Sequence, residues 1–131
     1  NNTRSFSGCI RNLVMNSKPL EIQPQNQIGV VPCFNNIESG AFFPGRGGFV
    51  RLKEPRFKVG DVFNVKLDIK PRRDSGVLIA VNGRKDFFVL EMIEGEMSLT
   101  VENGNGPIKA VYNPHKKFYF CDGQWHSVQG K

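Results

Sequence analysis

The stretch "DVFNVKLDIK" (61–70) alternates apolar and polar residues without a break. Phe63, Val65, Leu67 and Ile69 share one face, and Asn64, Lys66, Asp68 and Lys70 share the other. Side chains of a β-strand point to opposite faces in turn, so this pattern predicts a strand with one dry and one wet face. The period recurs along the chain. "GVLIAVN" (76–82) reads as a more buried strand, and Asn82-Gly83 closes it with a hairpin signal. "DFFVLEMI" (86–93) runs back to a turn at Glu94-Gly95, and "EMSLTVEN" (96–103) places Met97, Leu99 and Val101 inward. "PIKAVYN" (107–113) follows the turn cluster "NGNG", and Asp122-Gly123 leads into "QWHSVQGK". Strands broken by a turn signal about every ten residues, with almost no helical period, predict an all-β antiparallel sandwich or barrel.

The first 33 residues are patterned differently. "SFSGCIRNLVMN" reads as a short strand pair, and "SKPLEIQPQNQIGVVPC" is rich in Pro and Gln. Polar residues and Gly cluster at 34–39, where a boundary is expected before "AFFPGRGGFVRL" opens a new strand series. The chain begins with Asn and shows no signal-peptide pattern, so it reads as a piece of a longer protein. No apolar run approaches the ~20 residues of a membrane span. Cys9 and Cys33 have no CxxC or CxxH partner, which argues against zinc. A disulfide between them would close a loop of about 24 residues, contribute roughly 3 kcal/mol, and point to an oxidising, extracellular setting. It would staple the first piece to itself. Two buried free thiols in a cytosolic protein are the alternative. Asn1-Asn2-Thr3 fits the acceptor pattern for N-glycosylation at Asn1.

Three stretches carry residue types that do chemistry. "FCDGQWHSVQGK" holds Cys121, Asp122 and His126, the parts of a nucleophilic site. An imidazole must lie within hydrogen-bond reach of the thiol it activates, but five residues of extended chain span about 16 Å. Asp122 is expected to serve the turn, with Cys121 packed as a small hydrophobe, Trp125 anchoring the core and His126 on the opposite face. "EMIEGE" (91–96) gathers three carboxylates, as a sandwich-fold glycoside hydrolase would, yet alternation and the turn Gly make a solvated strand edge the simpler reading. "GRGG" (45–48) lacks the phosphate-loop pattern and precedes a strand. No catalytic residue is assigned.

The net charge is +6, and it is unevenly placed. Residues 46–73 hold nine Lys/Arg against three acids, whereas residues 86–108 hold five acids and no Lys/Arg. Arg72-Arg73, Arg84-Lys85 and Lys116-Lys117 all fall in or beside turns. Turns of a sandwich gather at its ends, so these pairs are candidates for a patch that binds sulfated or acidic polymers. No aromatic ladder accompanies them, which argues against nucleic acid.

Several of these stretches resemble one family. "GAFFPGRGGFVRL" resembles the opening strand of a laminin G-like domain, "DSGVLIAV" and "KDFFVLEM" its next strands, and "CDGQWHSV" its "DGxWHxV" motif. "SFSGCIRNLVMN" followed by "VVPC" is similar to the way such a domain ends, with its closing disulfide, here Cys9–Cys33. End motifs precede opening motifs. The resemblance therefore implies the closing strands of one domain (1–34), a junction (35–39) and the N-terminal part of the next (40–131). It implies an incomplete antiparallel jelly-roll, concanavalin-like sandwich, and it is strongest to the domains of laminin alpha chains. Neurexin, agrin, perlecan and a steroid-carrier globulin are other parents of such domains. What the resemblance implies of function is non-enzymatic adhesion in the extracellular matrix or basement membrane by a secreted glycoprotein. The implied partners are integrin or dystroglycan receptors, heparan sulfate, and other laminin chains through the parent protein, with no membrane insertion. Family members often hold calcium at one rim. Asp86 matches the first acidic position, and the second would lie beyond Lys131.

Overall fold

The structure, a computed structural model, describes residues 5–21, 27–31, 40–51, 64–83 and 86–130. Eleven strands run through them: β1 (Ser7–Met15), β2 (Lys18–Pro19), β3 (Gln27–Ile28), β4 (Ala41–Pro44), β5 (Phe49–Val50), β6 (Val65–Pro71), β7 (Gly76–Asn82), β8 (Phe87–Ile93), β9 (Glu96–Glu102), β10 (Ile108–Tyr112) and β11 (His126–Gly130). The fold is all-β, with no helix among the described residues, and every strand pairing is antiparallel.

β7 to β10 form one sheet in the order β10-β9-β8-β7, a meander whose turns follow the sequence. Glu94 and Gly95 both adopt positive φ (50° and 86°) between the paired Ile93 and Glu96, as a two-residue hairpin that follows the right-handed twist of its strands requires. The second sheet has the order β11-β6-β1-β2, with β4 also paired to β1. Alternation then decides which residues meet between the sheets. Val65, Leu67 and Ile69 of β6 are fully buried, and Phe88, Leu90 and Met92 of β8 are at most 2% exposed. Ile10, Leu13 and Met15 of β1, Met97, Phe6 and Phe120 complete the core.

The face assignments for Val65, Leu67, Ile69 and Lys66 hold; Phe63 lies outside the described residues. Asp68 departs from expectation, because it is half-buried rather than exposed. It accepts hydrogen bonds from Asn12 (2.8 Å) and Ser127 (2.5 Å) and lies 3.5 Å from Nε of Arg11. A bulge between Arg11 and Val14, with Asn12 at φ 54°, turns Asn12 onto the same carboxylate as Arg11.

Trp125 and His126 also exchange their expected places. His126 is the Cα partner of Ile69 and Val128 that of Leu67, so both face inward. A one-residue shift of register moves a side chain to the other face, which puts Trp125 outside. There the Arg11 guanidinium covers its ring at 3.9 Å, with the Lys70 ammonium at 6.0 Å. Phe120, from the turn before β11, is the core aromatic instead.

The first piece does not stand apart. β1 lies between β4 and β6 and pairs with both. The expected junction at 35–39 lies outside the described residues. Because Leu67 sits at the centre of the core, Leu67→Ala should lower unfolding free energy by ~2–5 kcal/mol in a denaturant titration. A loss below about half a kcal/mol would contradict the packing described.

Candidate functional site

β6 ends at Pro71, and the turn that follows carries Arg72 and Arg73 outward before β7 begins. Both arginines are exposed. Three features hold the turn. The amide of Arg72 donates to the Ser7 carbonyl at 2.8 Å, tying the turn to the start of β1. The Arg72 guanidinium lies 4.7 Å over the Phe42 ring, a cation–π contact that fixes the side chain along β4. Gly45 leaves space for Arg73, since a Cβ there would sit 3.2 Å from its Nη1. Ser75 donates to Asp74 at 3.2 Å and accepts from the Glu94 amide at 3.0 Å, which joins this turn to the β8–β9 hairpin.

A cavity of about 630 Å³ opens here, lined by Ser5, Gly45, Arg72, Arg73, Asp74, Ser75, Phe118 and Cys121. The far wall comes from the turn at 116–121, where the Tyr119 and Cys121 amides donate to the Lys116 and Phe118 carbonyls. Lys117 Nζ lies 5.3 Å from the Phe118 ring centroid, and Lys116 and Lys117 are exposed. Arg72 and Arg73 thus line one concavity with hydroxyls at its wall, and Lys116 and Lys117 belong to the turn that supplies Phe118 and Cys121 to it. Arg84 and Lys85, the third pair, lie outside the described residues, as do Asn1 and Cys33. The sequence reading missed Gly45, Ser75 and Phe118. The glycines of "GRGG" and the "RRDSG" turn were the available signals, but neither says that their loops meet.

The Cys121, Asp122 and His126 side chains are not brought into one site. Asp122 accepts from the Gln124 amide at 2.9 Å, as its turn role requires, and also meets Nε2 of His126 at 2.8 Å. Cys121 lines the arginine cavity, whereas His126 lines a second, more apolar one of about 580 Å³ with Tyr112, Tyr119 and Phe120. Burial pushes the Cys121 thiol above its ordinary pKa, and Asp74 and Asp122 push it further. A thiol so placed holds its proton, the opposite of an activated nucleophile. The "EMIEGE" acids serve turns and pairing: Glu94 sits in the hairpin, and Glu96 accepts from Asn113 at 2.6 Å.

Asp86 follows the β7–β8 turn, and its carbonyl accepts from the Gly83 amide at 2.6 Å. Calcium takes six to eight oxygen ligands. Among the described residues no three His, Cys, Asp or Glu side chains group to hold a metal, and Asp86 offers one carboxylate. Cys121 is a free thiol and Cys9 is not, while the other half of the expected bridge, Cys33, is beyond description here.

The sequence profile described as "Laminin G domain" matches residues 69–130. Over 131 residues the chain is 33% identical to human "Laminin subunit alpha-1", covering 98% of this chain and 4% of that protein. It is 34% identical over 128 residues to mouse "Laminin subunit alpha-4" (95% and 7%) and 31% over 125 residues to "Laminin subunit alpha" of Drosophila melanogaster (95% and 3%). The chain therefore spans less than a tenth of the length of these relatives. No solved structure matches it.

Two carboxylates give the structure an acid limit. At Asp68 burial raises the pKa, but hydrogen bonds from Ser127 and Asn12 and the charge of Arg11 outweigh it, and the net shift is downward. His126 and the Gln124 amide lower Asp122. A carboxyl depressed by folding contributes stability above its unfolded value, near 3.8, and loses it as pH falls through the lower folded value. Asp68→Asn should therefore melt below wild type at neutral pH, with the gap closing below about pH 3.8 in thermal melts. A gap that persists unchanged down to about pH 2 would contradict this assignment.

Proposed function

Because this chain belongs to the laminin G domain family, we propose that it is a non-enzymatic adhesion module of a laminin alpha chain, secreted into the extracellular matrix or basement membrane. Its ligands in this reading are sulfated glycans and cell-surface receptors of the integrin and dystroglycan kind. The observation that carries the glycan part is the cavity bordered by Arg72, Arg73 and the Lys116-Lys117 turn. Guanidinium groups pair with sulfate or carboxylate through two parallel N–H···O bonds. Ser5 adds a hydroxyl for sugar oxygens. Phe42 and the space at Gly45 preorganise the two guanidinium groups, so less side-chain entropy is lost when an anion arrives.

The Cys9–Cys33 bridge and Asn1 glycosylation belong to the same reading, since both suit a secreted chain. Val31, two residues before Cys33, exchanges backbone hydrogen bonds with Phe42, the Cα partner of Cys9. Val31 thus lies one strand away from Cys9, which supports this pairing.

Heparin affinity tests the glycan part. Binding should fall steeply with salt, as charge-driven association does. Arg72→Glu with Arg73→Glu should weaken it at least about tenfold, because one charge-assisted hydrogen bond contributes roughly 1.5–3 kcal/mol. Reversing Lys116-Lys117 or Arg84-Lys85 should lower the eluting salt by less. If wild type fails to bind heparin at physiological salt, the glycan part falls and receptor adhesion remains.

Calcium at Asp86 is a subordinate part of the proposal, because it rests on one acid. Titration calorimetry should show calcium heat for wild type and none for Asp86→Ala. Absence of heat in both would leave Asp86 as a hairpin residue.

A further inference from the structure

Among the residues that line the arginine cavity, Asp74 is the only acid. Its surroundings fix it there. The Asp74 carbonyl accepts from the Gly95 amide at 2.8 Å. Its Oδ1 accepts from the Ser75 hydroxyl at 3.2 Å, and that hydroxyl accepts from the Glu94 amide at 3.0 Å. On the other side the Arg72 amide donates to Ser7. Gly76 lies so close to Phe6 that a Cβ would come within 2.6 Å of the Phe6 Cα, an approach open to glycine alone. The carboxylate therefore sits on a turn pinned to β1 in one sheet and to the β8–β9 hairpin of the other.

Ser75 occupies one carboxylate oxygen. Among the described residues no bond reaches Oδ2, and no ion pair joins Asp74 to Arg72 or Arg73. Both signs of charge thus stand in one concavity without neutralising each other. Guanidinium groups only donate hydrogen bonds, and an ionised carboxylate only accepts them. Sulfate oxygens suit the arginines and are repelled by the acid. A sugar hydroxyl suits the acid, because its O–H donates to a charged acceptor, a bond about twice as strong as a neutral one. A ligand that satisfies the whole cavity carries an anionic group beside a free hydroxyl. Phe118, 53% exposed, supplies an apolar wall from the 116–121 turn, and small-ligand sites combine such walls with a few polar groups that fix orientation. We propose that Asp74 determines the specificity of this cavity: it accepts a free hydroxyl next to the bound sulfate or carboxylate, and so favours glycans that keep this hydroxyl over glycans sulfated there. The inference rests on the glycan reading above and assigns the selectivity within it.

Two probes test it: heparin, and heparin in which part of the O-sulfates has been converted to hydroxyls. Both are titrated at one ionic strength against the full chain and two variants. Asp74→Asn keeps an acceptor for Ser75 but replaces the free oxygen by an N–H donor. It should bind the desulfated polymer about tenfold more weakly than wild type, the value of one charge-assisted hydrogen bond. Relief of repulsion alone predicts the opposite sign, because the variant carries one negative charge fewer. Asp74→Glu keeps the charge and displaces the carboxylate by one methylene. It should lose the same affinity for the desulfated polymer while heparin binding stays near wild type. Both variants should melt with wild type, since the backbone bonds of the turn are untouched. The proposal is overturned if either variant binds the desulfated polymer as tightly as wild type or more tightly, for Asp74 would then act only as a charge. It is also overturned, with the glycan reading intact, if wild type binds heparin and not the desulfated polymer. Binding of neither polymer by wild type overturns the glycan reading itself, and this inference with it.

Discussion

The sheet that carries β6 is continuous because β1 fills the space between β4 and β6. This pairing also reaches the functional face. Ser7, the first residue of β1, accepts from the Arg72 amide, and Cys9 is opposite Phe42, whose ring underlies the Arg72 guanidinium. Loss of β1 would expose two strand edges and remove a backbone anchor of the arginine turn at once. Unpaired edges are templates for association, so the strand that builds the site is also the one whose displacement most endangers solubility.

A second lock lies on the outer face of the same sheet. Asp68 binds Asn12 of β1 and Ser127 of β11, and Arg11 covers Trp125 just before β11. Three strands are thus tied across their polar side as well as through their apolar one. Surface ion pairs contribute little individually. Here the half-buried carboxylate takes several donors from both neighbouring strands, so its main effect is on register. A slip of one residue would move Leu67 and Ile69 out of the core and break every bond to Asp68 together.

The strands from β6 to β11 were legible because alternation and turn residues are local signals. Asn82-Gly83, Glu94-Gly95 and the cluster at 103–106 mark hairpin ends whose strands pair in sequence order. The register of β11 was not legible. A Trp beside a His suggests that the Trp goes inward, yet the pairing of His126 with Ile69 decides the matter from a strand more than 50 positions away. The same limit hid the site. Arg72-Arg73 could be read as a basic turn, but its neighbours Gly45, Phe118 and Cys121 come from two other stretches. Only the closing of the two sheets makes them one cavity.

Several acids of the chain are engaged in turns and cross-strand bonds rather than in the arginine cavity. Glu102 accepts from the Gly104 and Gly106 amides at 2.6 and 3.1 Å, and so shapes the loop before β10. Glu96 binds Asn113, and Asp122 binds the Gln124 amide and His126. Glu102 and Asp122 satisfy donors in their own turns, and neither lines the arginine cavity. Asp74 is the exception, since it lines the same cavity. An acid beside two arginines lowers the local potential without cancelling it, and it gives a bound anion a direction to avoid. In the glycan reading proposed above, an anionic group would approach along the exposed Arg72-Arg73 side, where salt would screen the attraction and set its strength.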